Sequence, residues 1–413
     1  MAMIWVHSLD EVTAVGARSL LQGPAPAPVA PTGAAASPTN LTPMAAQGPA
    51  GSVNATALLN LPQVCLFQQG FVYNKTGSGA SKLGTCVFEV WDLEFLEILP
   101  TNPVITELAT APAHEAGVYS PSDNSVFVTS TLNKTTGNSM LMKVDLSTGA
   151  VTYVLNQTAG ANGAILASDG ALILCMQGST AIPGHLLRLN LSTGQQTVIA
   201  DNWFGLEFNS PNDVVEGPDG SFYFTDPSYG YEQGFKNPPQ TFQSVYRVLP
   251  SGRVDAVAEG LLKPNGIAFS PDYAQLAVTD TGYASGFGTN NVTRPHSVYV
   301  YDVTPGGRLT NKQFFVSTAS YDAPYRPVIP DGIKVDSANR VYLGTADGVQ
   351  VFDRDGSPLG LIRYPNVANF ALAGPALNTL VLFNDTNIAT VQLASSVVSA
   401  GQPYAKRVLN IRP

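Results

Sequence analysis

Six residues with oxygen-bearing side chains recur along the chain, each at the entry to a short apolar segment. These lead residues are Glu115, Asn162, Asn212, Asn265, Asp331 and Asn369. A turn follows each of them after about seven residues, and a second β-rich run, such as 221–225, comes next. A degenerate repeat of about 40–50 residues with hairpin content is typical of propeller blades, so six repeats predict six blades. If every lead residue begins the innermost strand of its blade, two carboxylates and four amides meet on one axis, where they suit a hard cation such as Ca²⁺.

A local explanation of the same pattern competes with the metal site. Asn-Gly and Asp-Gly pairs, as at Asn162, Asn265 and Asp331, favour a bend at the entry to a strand. A bend does not require glutamate, however, and Glu115 stands at the same repeat position. The axial ligand ring is therefore the favoured interpretation.

The composition agrees with many short strands. Only 12% of the 413 residues are charged, whereas glycine and proline number 38 and 31, as expected for a chain rich in tight turns. The formal net charge of −9 gives no electrostatic footprint for nucleic acid, and the chain has no run of about 18 apolar residues that would predict a membrane span. The predicted fold class is all-β, a six-bladed β-propeller with a central axial metal site; its oligomeric state is left open.

Two parts of the chain are predicted from its composition. Residues 1–58 combine an apolar start, which resembles the end of a signal peptide, with an extended lead-in rich in proline and alanine. Residues 59–413 are predicted to form the propeller. We expect the ring to close by strand pairing between the 63–90 region and the C-terminal segment 406–411.

Several features predict a secreted glycoprotein. Eight Asn-x-Ser/Thr sequons are present, at Asn40, Asn54, Asn74, Asn133, Asn156, Asn190, Asn291 and Asn384. Eight sequons spread over predicted loops favour passage through the secretory pathway. Cys65 and Cys86 flank a loop rich in glycine and serine and are predicted to form a disulfide, with Cys175 left as a buried thiol. Three unpaired thiols are the alternative.

Four motifs, in order along the chain, resemble those of a known family. They are His114-Glu115, Ser210-Pro-Asn212-Asp213, Lys263-Pro-Asn265-Gly266 and Ile329-Pro-Asp331-Gly332. The set resembles the senescence-marker-protein/gluconolactonase (SGL) family, and the segments 208–215 and 224–230 are similar to its fungal lactonohydrolase branch. The resemblance covers roughly residues 95–390. It implies a six-bladed propeller with one catalytic divalent cation, usually Ca²⁺, whose ligands map to Glu115, Asn212, Asn265 and Asp331.

The chemistry expected of such a site is hydrolysis of a polarised carbonyl group. The cation would stabilise the charge that develops on a lactone oxygen, and a base would remove a proton from the attacking water. Asp331 is one candidate base and His114 is the other; alternatively, His114 only packs against Glu115 and orients it. Further candidates, for substrate binding or for support of the ligands, are Asn162, Asp213, Asp226, Tyr229 and Tyr231. The long loop 226–243 is interpreted as a pocket wall or, alternatively, as a surface insertion.

The sequence therefore predicts a secreted, metal-dependent lactone hydrolase, with Ca²⁺ as the expected cation and another divalent cation as the alternative. Its substrates would be aldonolactones or related hydroxy-lactones of the gluconolactone or pantolactone type, which it would open to hydroxy acids. An arylesterase or phosphotriesterase is a neighbouring possibility, because the same cation would polarise P=O as well as C=O. A non-catalytic extracellular Ca²⁺-binding propeller is the remaining alternative, and it would need no base.

Overall fold

Six sheets, each built on four antiparallel strands, follow one another along the chain, and we number them as blades 1 to 6. The computed structural model describes residues 54–66, 86–133, 135–320 and 326–410. From the inner to the outer strand, blade 1 contains Ala113–Ser120, Ser125–Ser130, Ser139–Asp145 and Val151–Thr158, and blade 2 contains Ala161–Leu166, Leu172–Met176, His185–Leu189 and Gln196–Ala200. Blade 3 contains Val214–Glu216, Phe222–Asp226, Ser244–Val248 and Val254–Ala258, and blade 4 contains Pro264–Phe269, Gln275–Asp280, Ser297–Val303 and Leu309–Ser317.

The last two blades include strands from the N-terminal part of the chain. Blade 5 contains Ile333–Val335, Val341–Thr345, Gly348–Phe352 and Pro358–Arg363, extended at its outer edge by Phe88–Val90 and Val64–Leu66. Blade 6 contains Phe370–Ala373, Thr379–Phe383 and Asn387–Gln392, with Ile105–Thr110 as its outermost strand. Two-stranded ribbons (Asn202–Trp203 with Leu206–Glu207, and Ala319–Ser320 with Arg326–Pro327), three short α-helices (Ala55–Leu59, Tyr229–Glu232 and Pro403–Val408) and the 3₁₀ helix Leu93–Ile98 complete the described elements.

The inner strands of the blades surround a common axis. The inner strand of blade 1 contacts those of blades 2 and 6, and the series continues from blade 2 through blades 3 and 4 to blade 5. Between blades 5 and 6 the Gly332 N–H donates to the Ala368 carbonyl at 2.8 Å. The predicted all-β fold with six blades is thereby confirmed.

The glycines that follow three lead residues are required by close packing rather than by a bend. None of them has a positive φ. A Cβ atom on Gly163 would come within 2.5 Å of the Asn212 carbonyl oxygen. One on Gly332 would come within 2.5 Å of Asn369 Cγ, and one on Gly266 would collide with the carbonyl of Asp331. Each glycine therefore lets an inner strand approach the next lead residue, and the explanation of the Asn-Gly pairs as local bends does not apply.

Ring closure differs from the prediction. Ile105–Thr110 pairs antiparallel with Asn387–Gln392 and completes blade 6, whereas the strands from the 63–90 region extend blade 5. Residues 403–408 form a helix with proline at its first turn, so the C-terminal strand was wrongly predicted. The helix Ala55–Leu59 buries Leu58 against Phe88 and Phe95, and a boundary at residue 58 falls inside that helix.

Apolar side chains fill the spaces between neighbouring blades. Between blades 2 and 3, for example, Phe208, Phe224 and Tyr246 pack with their ring centroids 5.0–5.5 Å apart. Cys175 is a buried free thiol in the same cluster, and Cys65 and Cys86 form the predicted disulfide. Within the described residues, no helix is long and apolar enough to cross a membrane.

Candidate functional site

The lead residues of five blades line one cavity of about 170 Å³, which we call the axial cavity. They are Glu115, Asn162, Asn212, Asn265 and Asp331. Other residues that line the axial cavity were not predicted from the sequence. They include Ser130, Leu132, Gln177, Gln233 and Ile329. Four of the five lead residues are less than 9% exposed, and Asp331 is partly buried. The sequence repeat therefore brings these distant side chains together as expected, because each lies within two residues of the start of an inner strand.

Threonines on the second strands hold the lead residues of the following blades. Thr129 donates its hydroxyl to the carbonyl of Asn162 at 2.9 Å, and Thr225 donates to the carbonyl of Asn265 at 2.6 Å. Thr279 likewise donates its hydroxyl to the backbone carbonyl of Asp331 at 3.0 Å. Blades 1, 3 and 4 thus each fix the backbone of the next lead residue. The signal was present in the sequence, since all three threonines stand next to last in their strands.

Asp226 supports the site without lining the axial cavity. Its two carboxylate oxygens accept hydrogen bonds from the backbone N–H groups of Asn209 and Ser210, both at 2.8 Å, and so anchor the segment that leads to Asn212. Burial raises the pKa of Asp226 to about 7, although these two donors favour the ionised form. Asp280 repeats the arrangement in blade 4 by accepting from the N–H groups of Leu262 and Lys263. Placement therefore favours support of the ligands over substrate contact for Asp226.

Three buried oxygen atoms around the axial cavity have no hydrogen-bond partner among the described residues: Asn162 Oδ1, Asn212 Oδ1 and Asp331 Oδ1. Buried polar atoms are nearly always paired, so such orphans point to a missing ligand. Burial and the neighbouring charge of Glu115 raise the pKa of Asp331 well above its usual range. No group of three or more His, Cys, Asp or Glu residues suited to a metal is found in the described chain. The donor set is instead two carboxylates and several amide oxygens, which fits Ca²⁺ rather than a softer metal.

His114 is paired with a carboxylate that the sequence analysis missed. Its Nδ1 lies 2.6 Å from Oδ1 of Asp385, a residue in the loop before Asn387–Gln392, and His114 also lines the axial cavity. Burial lowers the pKa of His114, but the hydrogen bond to Asp385 and the charge of Glu115 outweigh it and raise the pKa to about 9. Because the two residues are 271 positions apart, no local motif could have revealed the pair.

The loop 226–243 contributes one wall of the axial cavity. Tyr229 and Gln233 line the cavity, and the Tyr229 hydroxyl is hydrogen-bonded to Thr281 Oγ1. Tyr231 is 41% exposed and packs edge-on against Phe287 instead. Of the two predicted tyrosines, the structure therefore brings only Tyr229 to the cavity.

Asp213 lies at a second, smaller cavity of about 60 Å³ farther along the axis, together with Lys334. The C-terminal segment, including Ser399, Gln402 and Ala405, closes this lower cavity. Burial raises the pKa of Asp213 to about 6, with the Lys334 charge opposing the shift. The predicted contact between Asp213 and substrate gains no support from this placement.

Comparison with known proteins decides the family. A sequence model of the SMP-30/gluconolactonase/LRE-like region matches residues 135–384. The chain belongs to this family. The predicted family is confirmed, and the matched residues include the lead residues from Asn162 to Asn369 but not His114 and Glu115.

Relatives of this SMP-30/gluconolactonase family member include named lactone hydrolases. It is 32% identical to a gluconolactonase from Zymomonas mobilis over 208 residues, which cover 49% of this chain and only 54% of that relative. It is 29% identical to lactonohydrolase oryL from Aspergillus oryzae over 338 residues, which cover 76% of each chain. A solved gluconolactonase from Xanthomonas campestris superposes with a TM-score of 0.63 at 25% identity, covering 74% of this chain and 94% of that one. These names agree with the predicted class of enzyme.

Proposed function

We propose that this protein is a Ca²⁺-dependent lactonase. The observation that carries the proposal is the set of unpaired buried oxygens around a cavity that also contains the His114–Asp385 pair. Glu115, Asn212, Asn265 and Asp331 would hold the cation, and all four line the axial cavity. Bound there, Ca²⁺ would supply Lewis acidity toward the lactone carbonyl.

Side chains of the protein carry out the proton transfers of the reaction. The positive charge of a bound cation would favour the neutral form of His114 over the imidazolium. In that form His114 removes a proton from water through Nε2, because Asp385 engages its Nδ1, orients the ring and stabilises the imidazolium that forms. The hydroxide attacks the carbonyl carbon, the ring C–O bond breaks, and the departing alkoxide takes the proton back from His114. Asp331 is then a ligand rather than the base. A non-catalytic binding propeller would have no need of the oriented His114–Asp385 pair.

Polar side chains around the axial cavity favour a hydroxylated lactone. Ser130, Asn162, Gln177 and Gln233 offer donors and acceptors for substrate hydroxyls. We therefore propose aldonolactones or related hydroxy-lactones as substrates, with hydroxy acids as products.

Acid release measured by pH-stat tests the activity. Gluconolactone and pantolactone should be opened by the wild-type protein, EDTA should abolish turnover, and added Ca²⁺ should restore it. Asp331→Asn should lower kcat/KM by at least about 100-fold, because one of the two charges that hold the cation is lost. Asp255→Asn, on the outer strand of blade 3, is the matched control and should retain activity. A protein that opens no lactone but cleaves aryl esters or phosphotriesters would assign the site to that neighbouring class.

We also propose that the protein is secreted and glycosylated. The disulfide suits an oxidising compartment, and the asparagines of five sequons are exposed: Asn54, Asn133, Asn156, Asn190 and Asn291. Asn40 and Asn74 lie outside the described residues. Asn384 is partly buried, accepts hydrogen bonds from Thr386 and Asn387, and precedes Asp385.

Glycopeptide mapping after expression in a eukaryotic secretory host tests this proposal. We expect glycans on the five exposed asparagines and none on Asn384. Deglycosylation with PNGase F should reduce the mass, and Asn190→Gln should remove one glycan. An intact mass equal to that of the bare chain would contradict glycosylation.

A further inference from the structure

Asn369 is the one lead residue that does not line the axial cavity. Its side chain is fully buried and both ends of its amide are occupied. Nδ2 donates to Oε2 of Glu115 at 2.7 Å. Oδ1 accepts from the backbone N–H of Phe370 at 2.8 Å and from Nζ of Lys334 at 3.1 Å. With its oxygen occupied by two donors, Asn369 presents its N–H₂ group toward Glu115.

Lys334 places its positively charged ammonium group near the axis, on the side of the lower cavity. It lies on the inner strand of blade 5, lines the lower cavity together with Asp213, and places Nζ 5.8 Å from the centroid of the Phe370 ring. The contacts from Lys334 through Asn369 to Glu115 therefore cross blades 5, 6 and 1.

We propose that Lys334 and Asn369 are positioning residues that hold Glu115 in its cation-binding orientation. This inference rests on the proposed function, because Glu115 must be a ligand for its orientation to matter. Residues that orient ligands commonly change metal affinity by about 10–100-fold when they are replaced. Neither Lys334 nor Asn369 lines the axial cavity itself.

The direction in which Ca²⁺ affinity changes when Lys334 is replaced separates a positioning role from a purely electrostatic one. A nearby ammonium repels a bound cation, so its removal should tighten Ca²⁺ binding if charge alone mattered. Positioning predicts the opposite, because without Lys334 the amide of Asn369 loses one of the two donors that fix it. Lys334→Met keeps most of the aliphatic stem, and Lys334→Arg keeps the charge.

Isothermal titration of the full-length apo protein with CaCl₂ is the test. We expect Asn369→Ala to weaken Ca²⁺ binding by about 10–100-fold and Lys334→Met to weaken it by a smaller factor, up to about 10-fold. Lys334→Arg should recover part of the affinity. In the Asn369→Ala background, Lys334→Met should weaken binding no further, because the two residues act in series. Lys312→Met is the matched control: Lys312 lies over the Tyr299 ring and donates to the Gly260 carbonyl on the outer edge of blade 4.

The outcomes distinguish failure of the proposed lactonase function from failure of the positioning role of Lys334 and Asn369. If the wild-type protein binds no Ca²⁺, both the proposed function and the positioning role of Lys334 and Asn369 are overturned. If the wild-type protein binds Ca²⁺, the positioning role alone is overturned by any of three results: unchanged affinity in Asn369→Ala, tighter binding in Lys334→Met, or additive effects in the double variant. Circular dichroism and thermal melts of the apo proteins identify variants that fail to fold. If Asn369→Ala is among them, the comparison of Lys334→Met with Lys334→Arg decides.

Discussion

Replacement of Glu115 by Gln is expected to remove Ca²⁺ binding and lactone hydrolysis together. Glu115 is one of two carboxylates that line the axial cavity, and only 3% of it is exposed. Its Oε2 accepts a hydrogen bond from Asn369. A glutamine would keep that bond only by turning its own carbonyl oxygen to Asn369, which directs its N–H₂ group toward the cation. We expect the Kd for Ca²⁺ to rise by at least about 100-fold, the upper end of what loss of an outer partner costs.

Calorimetry and the pH-stat assay check this prediction on the same preparations. Glu216→Gln is the matched control, since Glu216 is also buried on an inner strand but accepts its hydrogen bonds from Ser168, outside the axial cavity. That variant should lose stability without loss of Ca²⁺ affinity. Normal Ca²⁺ binding by Glu115→Gln would remove Glu115 from the ligand set.

The second large effect is expected at His114, and it should leave Ca²⁺ binding intact. A positioned general base contributes about 10²–10⁴-fold to a rate, so His114→Asn should lower kcat by that range. Asp385→Asn should lower kcat by less, because the imidazole remains but loses the carboxylate 2.6 Å from Nδ1. Since neither residue is a ligand, the Kd for Ca²⁺ should change little in both variants.

Steady-state kinetics with saturating Ca²⁺ separates this role from the alternatives. His185→Asn serves as the control, because the Nδ1 of His185 contacts the carbonyl of Pro183 and the residue does not line the axial cavity. If His114→Asn keeps the wild-type kcat while Asp331→Asn still binds Ca²⁺ and is inactive, Asp331 is the base and His114 only packs.

The sequence predicts those parts of the structure that its repeat determines. Glu115, Asn162, Asn212, Asn265 and Asp331 reach one cavity because each occupies the same position in a blade, and the chain places blades side by side in order. Local periodicity is enough to locate such residues. The glycines after them show the limit of local reasoning, since Gly163 and Gly332 are needed by the neighbouring strand and not by a bend in their own.

The parts that the sequence does not predict depend on contacts between distant segments. Asp385 reaches His114 only because blade 6 closes against blade 1, and nothing near position 385 marks it as a partner. Ring closure fails for the same reason. Ile105–Thr110 and the edge strand Phe88–Val90 are both plausible outer strands, and the choice between blades 5 and 6 is made by packing across the whole ring.

Closure of the ring by Ile105–Thr110 also delays completion of the fold during biosynthesis. Thr110 and its partner Asn387 are 277 residues apart. At the usual elongation rate of about 5–20 residues per second, the first strand waits roughly 15–55 s for the second to be made. During that interval the nascent chain exposes an unpaired strand edge and an incomplete ring. The early segments therefore remain without their final strand partner until Asn387–Gln392 has been synthesised.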